Sequence, residues 1–251
     1  MKALCFTLCG RTAFFKKPEV NSYYYFTYGN IHKVALLGIF GAILGYGGYT
    51  QQYNGSENKK GMEKGYPEFY EKLLELKVSI RPNAKRGFIE KKIQQFNNSV
   101  GYASKEQGGN LIVKEQWLEE PSWDICVLLD CEEAENLKEA ILNHKCVYLP
   151  YLGKNDHFAD ILDAQIKEVT EEKSGEGKID SLFINQNAEI VLRQSLRGKT
   201  GMTYKYQENL PQSMDEWTNN YVLETFIYTD ADTKWEQQEV YRVGEKLRMF
   251  Y

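Results

Sequence analysis

"HKVALLGIFGAILGYGGY", residues 32–49, is the most apolar stretch of an otherwise ordinary chain, and its reading decides the fold. Val34 to Gly45 is twelve residues without a charge, against the roughly 20 that a helix needs to cross a hydrocarbon core. The run is therefore read as a buried helix rather than a membrane anchor. Asn30 is placed to cap its start, and Gly47-Gly48 to stop it. Gly38, Gly41 and Gly45 each cost about 1 kcal/mol against alanine in a helix interior. Close approach by another backbone, side chain or ligand is expected at those positions. "GYGGY" lacks both G-x-x-x-x-G-K-[ST] and G-x-G-x-x-G, so it is not read as a phosphate loop.

Working outward, "KALCFTLC" (2–9) has the length and composition of a strand, and 10–30 reads as loop or short strand. Residues 51–65 are polar and glycine-containing. "PEFYEKLLEL" (67–76) follows as a helix with Pro67 in its first turn, then "KVSIRPN" (77–83) as a strand stopped by Pro82. Residues 85–118 read as two extended arms with a tip at "EQGGN" (106–110), and "SWDICVLLD" (122–130) as a further strand. "CEEAENLKEAILNH" (131–144) is an amphipathic helix with an acidic first turn, and "KCVYLPYLG" (145–153) returns to strand. The order β-α-α-β-β-α-β predicts an α+β fold of the ferredoxin-like, or RNA-recognition-motif, plan. Residues 159–251 are short alternating runs separated by turns, with "KSGEGK" (173–178) as a loop, and predict a small antiparallel β-rich domain.

With 251 residues, 42% of them apolar and 26% charged, the chain is long enough for a real core in one large or two small domains. Five cysteines without a C-x-x-C pair do not suggest a disulfide framework or zinc site, and a reducing cytoplasm is expected. The apolar run at 3–9 is short for a secretory signal, lacks a small-x-small cleavage site and is followed by Arg11. The net charge of −4 conceals an asymmetry. Residues 1–100 hold 15 Lys and Arg against 7 Asp and Glu, and residues 101–251 hold 16 against 28. The first half is suited to a polyanion, although two solvated surfaces would account for the same balance.

Catalytic patterns are thin. His32, His144 and His157 form no H-x-x-x-H pair, G-x-S-x-G is absent, and no carboxylate spacing selects an acid–base pair. No metal or cofactor is expected. His144 reads as a helix-end residue, and Lys154 and His157 share a polar turn. The segment before the long helix is more suggestive. Arg11, Lys16 and Lys17 accompany Tyr23, Tyr24 and Tyr25, and His32 and Lys33 stand at the positive end of the helix. Cations beside aromatic faces suit single-stranded nucleic acid, whose phosphates meet charge while unstacked bases find planar partners. Strand tyrosines and solvated lysines are the alternative account.

Four blocks, "FTLCGRTAFFKKPEVNSYYYFT", "LLGIFGAILGYGGY", "LIVKEQWLEEPSWDICVLLD" and "YLPYLGKNDHFADI", occur in an order and spacing that resemble a CRISPR-associated family. It is the RAMP-superfamily subunit that caps the 5′ handle of the guide RNA in type I Cascade complexes, with most likeness to the I-B branch. The resemblance covers about residues 1–165. It implies a ferredoxin-like domain over 1–158, a thumb inserted at about 86–116, and a β-rich domain over 159–251. The implied function is a non-catalytic, cytoplasmic RNA-binding subunit in antiviral defence. It would hold the 5′ handle and join the backbone subunit to the large subunit, with target DNA met indirectly and no membrane. Carried onto this sequence, the RNA contacts are Arg11, Lys16, Lys17, Tyr23, Tyr25, His32 and Lys33, thumb residues Arg86, Lys91 and Lys92, and Lys154 and His157. The I-C branch resembles a metal-independent endoribonuclease using a Tyr, a Lys and an adjacent His. No histidine follows the lysine of "LIVKEQWL", so repeat-RNA cleavage is the alternative reading rather than the first.

Overall fold

The computed structural model describes residues 1–19, 24–55, 65–98, 111–192 and 201–251. The first half runs β1 (Lys2–Cys9), β2 (Thr12–Ala13), α1 (Lys33–Leu44), α2 (Tyr49–Gly55), α3 (Glu68–Leu73), β3 (Val78–Pro82), β4 (Lys91–Asn98), β5 (Leu111–Glu119), β6 (Ser122–Leu128) and α4 (Glu132–Leu142). The second half, apart from a short 3-10 turn at Asn185–Asn187, is built of strands: β7 (Asp160–Glu171), β8 (Ser174–Gly177), β9 (Phe183–Ile184), β10 (Glu189–Val191), β11 (Lys205–Met214), β12 (Tyr221–Thr229), β13 (Asp232–Glu236), β14 (Val240–Val243) and β15 (Lys246–Met249). The protein is thus mixed α/β and strand-rich, and its named strands pair antiparallel.

Alternation along β1 sets the layers. Leu4, Phe6 and Leu8 point into the main core beneath α1, α3 and α4, whereas Ala3 and Cys5 point into a second core with Val169, Tyr241 and Phe250. The principal sheet has the order β15-β14-β7-β1-β6-β3. Val78 in β3 exchanges both backbone hydrogen bonds with Tyr251, just past β15, at 3.1 and 3.0 Å, so the two ends of the sheet meet. Arg248 on β15 is buried at that seam, where its guanidinium donates to Ser79 Oγ, the Ser79 and Asp124 carbonyls and Cys126 Sγ.

α1 is the buried helix its sequence predicts, and it spans too little chain to cross a bilayer; among the described residues no helix is long and apolar enough to do so. Its cap differs from expectation. His32, not Asn30, is the N-cap, its Nδ1 accepting from Ala35 N–H at 3.2 Å. Asn30 is unavailable because its amide accepts from Trp123 Nε1 and donates to the Gly87 carbonyl. The stop comes at Gly45, in the left-handed region at φ 83°, ahead of Gly47-Gly48.

Residues 145–153 correct a further expectation, since they form no strand. Val147 and Tyr148 N–H instead donate to the carbonyls of Ile43 and Ala42, completing the end of α1, so this backbone is committed to a helix terminus. The strand that flanks β1 is β7, and β14 and β15 continue the same sheet beyond it. α2 was not legible in the polar run after residue 50, and "KSGEGK", expected as a loop, holds β8. No disulfide was expected, but Cys5 and Cys126, register partners on β1 and β6, are joined by one.

Candidate nucleic-acid interface

The expected two arms are an antiparallel hairpin, β4 with β5, inserted between β3 and β6, with Lys91 opposite Leu118 and Asn98 opposite Leu111. Its tip, "EQGGN", lies outside the described residues, as does Tyr23. The hairpin base is extended by the loop before α1. Tyr25 donates its N–H to Lys114 O and accepts from Gln116 N–H, both at 2.9 Å, and Lys17 N–H donates to Phe26 O.

This ladder interleaves cations with rings. Lys16 Nζ lies 4.2 Å from the Tyr25 ring centroid, Lys17 Nζ 5.0 Å from that of Tyr28, and Lys114 Nζ 5.2 Å from that of Tyr24. At these distances the ring quadrupole holds the ammonium while leaving its outer side to an anion. Lys114 and Tyr24 were not among the expected contacts; the signal was the alternation of "LIVKEQWL", which sets Lys114 on the opposite face from the buried Val113 and Glu115.

The expected cations differ in how free they are. Lys17 is paired with Glu208 at 3.2 Å, Lys92 with Glu119 at 2.8 Å, and Lys154 with Glu115 and Asp156 at 3.4 and 3.3 Å. Glu208, from the acidic half of the sequence, also accepts from Gly29 N–H, so the two halves interlock here instead of facing apart. Lys91 points to the opposite side of the hairpin from Lys92; burial lowers its pKa, with Glu208 acting in the other direction. Lys33, half-buried opposite Glu75, is pushed down by burial to about 8. Arg11, Lys16 and Arg86 are exposed and pair with no carboxylate among the described residues. Arg86 sits in the left-handed region at φ 60°, a position that disfavours side chains.

Two expected contacts are buried. His32 is 3% exposed, enclosed edge-on by Phe15, Tyr28 and Tyr221, and burial lowers its pKa to about 3. His157 is 2% exposed, edge-on to Trp117, and shares a 2.6 Å hydrogen bond with Thr12 Oγ1. Both are neutral rings, removed from phosphate. Among the described residues no group of three His, Cys, Asp or Glu side chains is placed to hold a metal ion.

A cleft of about 640 Å³ opens beside this surface along α1, lined by Lys16, His32, Gly38, Tyr148, Tyr151 and Tyr221 among others. The helical glycines divide there. A Cβ on Gly41 would come within 2.5 Å of Phe69 Cβ, and one on Gly45 within 2.8 Å of Val147. A Cβ on Gly38 would meet only Phe69 Cε2, at 3.9 Å.

No protein-family model and no curated protein matches the sequence. Solved structures similar in fold include two CRISPR-associated ones. One, described as a CRISPR RNA-guided surveillance complex, is 13% identical over 91% of this chain and 90% of its own, with a TM-score of 0.51. The other, a CRISPR protein from Archaeoglobus fulgidus, is 12% identical over 99% of this chain and 98% of its own, also at 0.51. At these identities the likeness is one of chain path.

Proposed function

We propose that this protein is a non-catalytic RNA-binding subunit of a CRISPR type I Cascade complex, holding the 5′ handle of the guide RNA between the backbone and large subunits. The observation that carries the reading is the ladder at the hairpin base, where Lys16, Lys17 and Lys114 alternate with Tyr25, Tyr28 and Tyr24. The strand order β7-β1-β6-β3, with α1 and α3 in one crossover and α4 in the next, supports a ferredoxin-like domain. The β4–β5 hairpin supports the thumb. The fold shared with a structure described as a CRISPR RNA-guided surveillance complex agrees with a place in such a complex.

The alternative, a metal-independent endoribonuclease, needs a histidine that reaches the RNA. Burial of His32 and His157 favours binding over cutting. The test is binding of handle RNA and of a scrambled strand to the purified protein, alone and with the backbone subunit, across a salt series. Handle-selective binding that weakens steeply with salt is expected. Equal, weak, salt-insensitive binding of both strands overturns the reading.

A further inference from the structure

We propose that the cleft along α1 is a pocket for an unpaired nucleobase, with Gly38 as its floor and the tyrosines Tyr148, Tyr151 and Tyr221 at its sides. The inference rests on the RNA-binding reading and adds a base-specific site to it. It begins from the glycine that packing leaves unexplained. Gly41 and Gly45 are required by Phe69 and Val147, but among the described residues only Phe69 Cε2, at 3.9 Å, comes near a Cβ on Gly38. A helical glycine lowers helix stability, so one without a packing reason marks a surface left bare for something outside the chain.

The surroundings indicate what that is. A cleft of about 640 Å³ lies within the roughly 300–1,000 Å³ usual for small-ligand sites. Its tyrosines offer flat faces with polar tips, which suit a heterocycle. His32 also lines the cleft, with its Nδ1 committed to Ala35 N–H. Lys16, on the rim, is also on the Lys–Tyr ladder, so a strand following the ladder passes the mouth of the cleft.

The test compares, at one salt concentration, eight-nucleotide oligoadenylate and oligouridylate with an abasic ribose-phosphate strand of the same length, for wild type, Gly38→Leu and Tyr151→Ala. Wild type is expected to bind a base-bearing strand about tenfold more tightly than the abasic one, the order of one base–aromatic stack. Gly38→Leu, which fills the cleft, and Tyr151→Ala, at an exposed wall, are each expected to remove that difference and leave abasic binding unchanged. Thermal melting reports whether Gly38→Leu is folded, and Tyr151→Ala stands as the second probe if it is not. Base-bearing and abasic strands bound alike by wild type overturn the pocket while leaving the RNA-binding reading intact. So does a base preference that survives both substitutions. An apolar protein side chain as the true occupant produces the first of these results, with Gly38→Leu weakening binding of the backbone subunit. Absence of binding to any strand overturns the RNA-binding reading itself, and the pocket with it.

Discussion

Asn30 Oδ1 accepts a 2.9 Å hydrogen bond from Trp123 Nε1, between two residues with no exposed surface. Asn30 Nδ2 donates to the Gly87 carbonyl at 3.1 Å, so one amide joins the entry to α1, the strand β6 and the turn below the hairpin. Asn30→Ala leaves two buried groups without partners, at about 1–3 kcal/mol each. The expected loss is about 2–4 kcal/mol in urea unfolding, and a loss below about 0.5 kcal/mol, the size of an ordinary surface change, refutes the linking role.

Gly38 and Gly41, one turn apart on the same helix, are expected to respond oppositely to alanine. At Gly41 the new methyl meets Phe69 at 2.5 Å. Overpacking of this kind costs about 1–3 kcal/mol, more than the ~1 kcal/mol that alanine adds to helix propensity. At Gly38 only the propensity gain remains. Melting curves should place Gly38→Ala above wild type and Gly41→Ala below it.

His32 gives a pH dependence with a definite sign. The unfolded ring protonates near 6.5, but the folded one stays neutral to about 3 because burial opposes the charge. Between those values the unfolded state binds the extra proton, so stability rises with pH and is lost on acidification, by about 1.4 kcal/mol per pH unit for one proton. His157 is shifted in the same direction and adds to the slope. His32→Asn keeps a cap acceptor for Ala35 N–H. Its stability between pH 6.5 and 4 should fall less steeply than wild type, by about one proton, and an unchanged slope refutes the assignment.

Among the cations, unpaired ones should matter most to RNA. Lys16→Ala and Lys114→Ala each remove an ammonium that, among the described residues, is held by a ring and paired with no carboxylate. Each is expected to lower the slope of log affinity against log salt by about 1. Lys92→Ala, whose charge Glu119 already balances at 2.8 Å, should change it less. Equal effects at all three positions contradict the ladder as the contact surface.

The sequence carried the elements whose periodicity lies within one segment. α1, α4, β1, β3 and the hairpin arms follow from apolar spacing, prolines and an acidic first turn. What it did not carry were long-range partnerships. Asn30 has the chemistry of a cap, but a tryptophan 93 positions away claims its side chain. "KCVYLPYLG" has strand composition, but its N–H groups close α1. Lys17 belongs to the basic half, but Glu208 in the acidic half neutralises it. Burial of His32 and His157 depends on rings drawn from several elements, which no local pattern discloses.

The meeting of Val78 with Tyr251 bears on how the chain is made. β3 is made long before its partner, and part of its outer edge stays bare until Tyr251 has left the ribosome. An unpaired edge with a finished core behind it is a template for other chains. Contacts of such sequence separation also slow folding. Products ending before β15 should therefore collect as aggregates, and the nascent protein depends on the segment from β15 to Tyr251 to become safe company for its neighbours.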